Sequence, residues 1–210
     1  MNIQDVPERW EVVGSAEHFK GYVIDVRTDQ VRMPDGEGAD ADLVTVSRDV
    51  VAHRGAVGVV ALDDQDRVLL IRQYRHPVGY LLWELPAGLR DKAGEPTWIN
   101  AERELAEEAG YRAGEWHLLL DYLSSPGMTD ERIRVFLARD LTKIPDAELD
   151  FDRVHEEAGM PVEWVPLDEA VRHVLAGDVH NGLAVIGIMA AHAARAAGFQ
   201  ALRPADAPEF

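Results

Sequence analysis

Cysteine is absent from the chain, which excludes disulfide staples and thiolate metal sites and is compatible with a reducing compartment. Positive charge is scarce: 21 Lys and Arg stand against 38 Asp and Glu, for a formal net charge of −17. A nucleic-acid backbone or an anionic membrane is repelled by that balance, so neither is an expected partner, and an anionic small substrate needs local positive charge or a metal ion. Long apolar runs are missing too. The longest near the C-terminus, GLAVIGIMAAHAA from Gly182, has 13 residues, too few to cross a bilayer, and reads as a buried helix. The opening MNIQDVPERWEVVGSAEHFK lacks the apolar stretch of a secretory signal, which makes the cytoplasm the expected location. Neither an internal repeat nor a low-complexity linker interrupts the 210 residues, a length suited to one large domain or a domain with an appendage.

Alternating segments between residues 17 and 52, split by the turn-rich PDGEGADAD, predict strands and a hairpin. AVGVVAL, DDQD and RVLLIRQY predict two strands around a polar turn. After LPAG the period changes. Pro96 and Thr97 supply helix-start chemistry, Ala101, Leu105 and Ala109 form an apolar stripe, and Gly110 is placed to end the helix. WHLLLDYL, RIRVFLA and PVEWVPL predict further strands, with a long acidic loop, TKIPDAELDFDRVHEEAGM, before the last. Two helices close the chain, one with Asp168 as N-cap and one from Asn181 to about Ala197. ALRPADAPEF reads as a loose tail. The expected organisation is an α/β domain over residues 53–200, preceded by a strand extension over 1–52 and followed by a tail at 201–210.

The decapeptide AERELAEEAG sets Glu104, Glu107 and Glu108 at helical spacings of three and four, so all three can converge on one point. Repulsion between exposed like charges at this spacing costs only about 0.2–0.5 kcal/mol per pair. A solvated surface helix is therefore the ordinary reading of the decapeptide alone. The wider stretch GLRDKAGEPTWINAERELAEEAGY resembles the signature of the Nudix hydrolases, G-x5-E-x7-R-E-U-x-E-E-x-G-U with U a bulky apolar residue. Glu95, Arg103, Glu104, Leu105, Glu107, Glu108, Gly110 and Tyr111 fall at the required mutual spacings. One departure stands out. Six residues separate Gly88 from Glu95 where the signature has five, so Leu89 takes the nominal glycine position and the loop is one residue longer.

The resemblance implies a Nudix fold, an α/β/α sandwich with a mixed sheet, plus an N-terminal antiparallel strand extension. It also implies a site for Mg²⁺, with Mn²⁺ as substitute and two or three ions, since hard cations bind through carboxylates, substrate phosphate and water. Glu104 and Glu108 then serve as metal ligands, joined by Glu107, by the backbone carbonyl of Ala87 and by Glu157. Arg103 orients Glu95 and the helix. QYRHPVGYLLWELPAGL resembles the ADP-ribose pyrophosphatase branch, in which an Arg at the position of Arg75 approaches the phosphates. A strand-end Arg paired with an acid is the structural alternative. Pro126 and Glu131, in SSPGMTDE, match further features of that branch, and Met128 and Leu89 join the substrate-contact set. VHEEAGM supplies a general base at Glu157, with Glu156 in reserve. Trp10 and Tyr22 are candidates to contact the base, and His155 is the one histidine whose neighbours single it out.

The implied function is metal-dependent hydrolysis of ADP-ribose to AMP and ribose 5-phosphate by a homodimer with exchanged N-terminal strands, acting on a nucleoside diphosphate sugar. A pyrophosphatase for another nucleoside-diphosphate sugar or dinucleotide is the alternative within the class, and an inactive nucleotide-binding sensor the alternative outside it.

Overall fold

The computed structural model describes residues 3–36, 42–148 and 160–209. The chain divides into two compact units, residues 1–54 with 125–131, and residues 55–124 with 132–210.

The first unit is an antiparallel meander, β1 (Glu11–Lys20), β2 (Ile24–Asp35) and β3 (Asp42–His53), in that spatial order. β1 starts earlier than the alternation from residue 17 suggests, because Val12 and Val13 extend it in a strand whose apolar side chains stay exposed. Segment 125–131 docks on β3, where the Val51 amide donates to the Met128 carbonyl at 2.8 Å. Trp10, Val12, Val13 and Phe19 are all largely exposed, so this sheet has almost no core of its own.

The second unit is layered. A five-stranded sheet has the order β11 (Arg203–Pro204), β8 (Tyr111–Leu123), β9 (Arg132–Lys143), β4 (Ala56–Ala61) and β7 (Ala87–Leu89). Its β4–β9 pair is parallel and the rest antiparallel. A second sheet has the order β10 (Val162–Pro166), β5 (Arg67–Arg75) and β6 (Tyr80–Glu84). Alternation along β4 sends Val57, Val59 and Ala61 into a cluster with Ala101 and Leu105 of the first helical segment. Val60 faces the opposite way, onto Leu167, Ala184 and Ile188 of the closing helices. Helices thus cover both faces, as the unbroken apolar run of a fully buried strand requires. Burial of each such Leu or Ile contributes about 1.5–3 kcal/mol. No described helix is long and apolar enough to cross a membrane.

The two strands expected around a polar turn are β4 and β5; a single bridge, Leu62 with Val68, joins them, and the chain passes between the two sheets there. Asp63 builds the turn by accepting from the Gln65 and Arg67 amides at 2.9 and 2.8 Å. PVGYLLWELPAG, unassigned by period, contains both β6 and β7. Helix α2 (Leu167–Ala176) begins after Pro166, so Asp168 lies inside its first turn, where an acid favours the helix dipole. Its partner there is Arg195. Asn181 does cap α3 (Gly182–Ala196), accepting from the Ala184 amide at 2.9 Å. The C-terminal residues are not loose. β11 pairs with Leu118 and His117 of β8, and buried Arg134 donates to the Ala207 and Pro208 carbonyls, each at 2.8 Å.

Candidate active site

Helix α1 (Thr97–Glu104) presents Thr97, Asn100, Ala101 and Glu104 as its buried face, the i, i+3, i+4 pattern of a helix lying on a sheet. At Leu105 the α-helix gives way to a π-helical turn, Leu105–Ala109, closed by Gly110 in the left-handed conformation at φ 73°. A continuous α-helix was the expectation. The π-turn carries more residues per turn, which brings residues four apart, Glu104 and Glu108, closer to one axial line. Gly110 ends the element because only a residue without Cβ adopts that conformation freely.

The glutamates are not a solvated face. Glu104 is 9% and Glu108 7% exposed. Both bear on one dipeptide of β7, which β4 holds in place through the Gly58–Ala87 pairing. The Ala87 amide donates to Glu108 Oε2 at 2.8 Å. A Cβ added at Gly88 would overlap the carboxyl group of Glu104, so any larger residue here would push that carboxyl group out of its present place. The glycine that stands one place from its nominal position therefore still receives the helix carboxylate.

Arg103 is the cation of the cluster. It contacts Glu104 at 2.8 Å, Glu107 at 3.2 Å, Asp91 at 3.3 Å and Glu95 at 3.5 Å. Burial opposes its charge, yet these carboxylates together raise its pKa above the usual arginine value. Asn100, 2% exposed, ties the loop to the helix: its side-chain amide donates to the Leu89 carbonyl at 2.9 Å, and its oxygen accepts from Arg103 at 3.3 Å. Arg75 makes a bidentate contact with Glu84, at 2.9 and 2.6 Å. Glu84 is buried at the end of β6, so the strand-end pair is realised in the structure.

Met128 and Glu131 belong to the first unit. Met128 is exposed, and Glu131 lies 3.3 Å from His53 Nδ1. The expectations for His155, Glu156 and Glu157 lie outside the described residues. Two residues that bear on the site, Asn100 and Glu84, went unnoticed in the sequence. Asn100 is legible as the polar residue on the helix's buried stripe, Glu84 as the lone acid inside LLWEL. The steric role of Gly88 has no signal in one sequence, because it depends on which side chain comes to face it.

Among the described residues no group of three or more His, Asp or Glu is arranged to hold a metal ion. Two nearly buried carboxylates converging on the Ala87–Gly88 backbone do fit a hard, oxygen-seeking cation that draws its remaining ligands from water and substrate phosphate. Glu104 and Glu108 would hold it, with Glu107 beside them.

This layered fold, with a carboxylate helix set against a glycine-bearing strand, defines a class. The NUDIX domain family matches residues 52–184, and the chain belongs to that family. An ADP-ribose pyrophosphatase of Mycobacterium tuberculosis is 44% identical over 199 residues, covering 94% of this chain and 89% of that one. An ADP-ribose pyrophosphatase of Bacillus subtilis is 33% identical over 172 residues, covering 81% and 86%. A solved structure of an ADP compounds hydrolase shares the fold with a TM-score of 0.71 at 20% identity, covering 93% of this chain and 99% of that one.

Proposed function

We propose that the protein hydrolyses the diphosphate bond of ADP-ribose, releasing AMP and ribose 5-phosphate with a divalent cation as cofactor. The observation that carries this reading is the convergence of Glu104 and Glu108 on Ala87 and Gly88, in a chain similar over most of its length to ADP-ribose pyrophosphatases. Water attacks one phosphorus, the bridging P–O bond breaks, and the departing phosphate takes the electron pair. Mg²⁺ or Mn²⁺, two or three ions in the full reading, supplies charge neutralisation and an acidified water when bound. Glu104 and Glu108 hold the cation in this scheme, Glu107 and the Ala87 carbonyl assist, and Glu157 accepts the water's proton, with Glu156 as its substitute. Arg103 offsets the repulsion among the cluster's carboxylates and orients Glu95 and the helix.

Arg75 is the proposed phosphate contact, and its bidentate bond to Glu84 presets the plane of the guanidinium for a second planar or phosphate partner. Leu89, Met128 and Glu131 complete the substrate set, and Trp10 or Tyr22 is the proposed base contact. The exposed apolar side chains of β1 support a homodimer in which this sheet is covered by a second copy. The cytoplasm is the proposed setting.

Incubation with ADP-ribose and Mg²⁺, followed by separation of AMP from ribose 5-phosphate, tests the reading. A panel of other nucleoside-diphosphate sugars and dinucleotides ranked by kcat/KM should place ADP-ribose first. Tight binding without turnover under Mg²⁺ and Mn²⁺ would instead mark a nucleotide sensor.

A further inference from the structure

The C-terminal segment reaches Arg90, the residue that follows the Gly88-bearing strand β7. Arg134 on β9 is 5% exposed. Its Nε donates to Asp121 Oδ1 at 2.7 Å, while Nη1 and Nη2 donate to the carbonyls of Ala207 and Pro208. Charge-assisted bonds of this kind, shielded from water, hold a backbone segment firmly. Ala207 is itself buried, in the same apolar cluster as Ala101, Leu105 and Ala109. Just beyond this anchor, Glu209 accepts from Arg90 Nη2 at 2.8 Å.

Arg90 is two residues from Gly88. Its amide donates to the Gly55 carbonyl at 3.1 Å, and its Cδ would lie 3.3 Å from a Cβ at Gly55. Gly55 has φ +84°, so both its conformation and the passing arginine stem call for glycine. Arg90 is therefore gripped from two sides, by the start of β4 and by the end of the chain.

We propose that residues 203–209 form a strap that positions the end of β7 and the loop that follows it: Glu209 fixes Arg90, and Arg90 fixes the backbone on which Glu104 and Glu108 converge. The inference rests on the reading of that loop as part of the hydrolytic site. Glu209 and Arg90 are positioning residues. An exposed ion pair is ordinarily weak because ordering two long side chains costs entropy. Here the Arg134 anchor already holds one partner's backbone, which lowers that cost.

Four full-length variants test the strap: Glu209→Ala, Arg90→Ala, the two alanines together, and the exchanged pair Arg90→Glu with Glu209→Arg. The first readout is hydrogen exchange at the Arg90 and Asp91 amides, without metal or substrate. The second is the Mg²⁺ concentration that gives half-maximal ADP-ribose hydrolysis. Either alanine variant should speed loop exchange by about threefold to fivefold, the range an ion pair of this kind can carry. It should raise the Mg²⁺ requirement by a similar factor and leave the Val59 amide of β4 unchanged. The double alanine variant should add nothing further, and the exchanged pair should restore both readouts. Loop exchange in Glu209→Ala equal to that of the unaltered protein, or no recovery in the exchanged pair, overturns the strap. If the unaltered protein fails to turn over ADP-ribose, the functional reading falls while the exchange readout still decides on the strap.

Discussion

Gly88 and Glu104 share one volume: the space a Cβ would need at position 88 is filled by the Glu104 carboxyl group. Gly88→Ala must therefore displace the carboxylate or the strand. Overpacking of this sort costs about 1–3 kcal/mol. The expected outcome is a folded protein of lower Tm whose hydrolytic rate falls much more than its stability, measured by thermal unfolding alongside initial rates. Wild-type turnover in Gly88→Ala would show that the loop can move aside at no catalytic cost.

Glu108 accepts a backbone N–H as well as facing the proposed cation. Glu108→Gln keeps an oxygen for the Ala87 amide but loses the charge. Tm should change little, while kcat should drop by at least about 100-fold, equivalent to ~3 kcal/mol at the transition state. Equal turnover by the Gln variant over a Mg²⁺ titration would remove Glu108 from the metal site.

Glu157→Gln should lower kcat sharply and leave the affinity for ADP-ribose nearly unchanged, because a base acts on the water's proton and not on substrate binding. Binding measured by calorimetry and turnover measured separately give the two numbers. If Glu157→Gln is fully active and Glu156→Gln is not, the base is Glu156.

Asn100→Ala leaves the Leu89 carbonyl without its side-chain donor. The carbonyl keeps the Asp91 amide, which donates to it at 3.0 Å, so the loss is that of one hydrogen bond, about 0.5–1.5 kcal/mol, and each kcal/mol corresponds to roughly 2–4 °C in Tm for a chain of this size. A scanning calorimeter should record that loss, and a Tm equal to the parent's would mean that the Asp91 amide alone satisfies the carbonyl.

Asp63 gives a pH prediction. Burial opposes its charge, but hydrogen bonds from the Arg67 side chain and from the Arg67 and Gln65 amides hold its pKa below the ordinary 3.8. The unfolded chain therefore takes up this proton at higher pH than the folded one does. The stabilisation is complete well above 3.8 and is lost as pH falls through the lower folded value. Asp63→Asn should be less stable than the parent near neutrality, and the gap should narrow as the medium is acidified toward pH 3, as urea titrations at several pH values would record.

The fold was readable wherever a periodic pattern had one cause. β4 is apolar without a break because both of its faces meet helices, and α1 shows its stripe because Ala101 and Leu105 lie on the sheet. Period failed where something nonlocal decided the outcome. The tail carries no pattern of its own and is ordered by Arg134, some seventy residues earlier in the chain. The π-turn at Leu105 leaves the apolar spacing intact, so nothing in the letters distinguishes it from α-helix. For the site, spacing brought out Glu104 and Glu108. It could not disclose that Arg75 meets Glu84 or that Gly88 accommodates Glu104, because those depend on how strands lie beside one another.

The parallel alignment of β4 with β9 has a kinetic side. Their partners, such as Val59 and Phe136, are far apart along the chain, and the intervening stretch contains the entire carboxylate helix. Closing so large a loop is slow, since its entropy must be surrendered before the pairing repays it. On dilution from denaturant, helical circular dichroism should return first and hydrolytic competence only afterwards, with no turnover from any species in which those two strands have yet to meet.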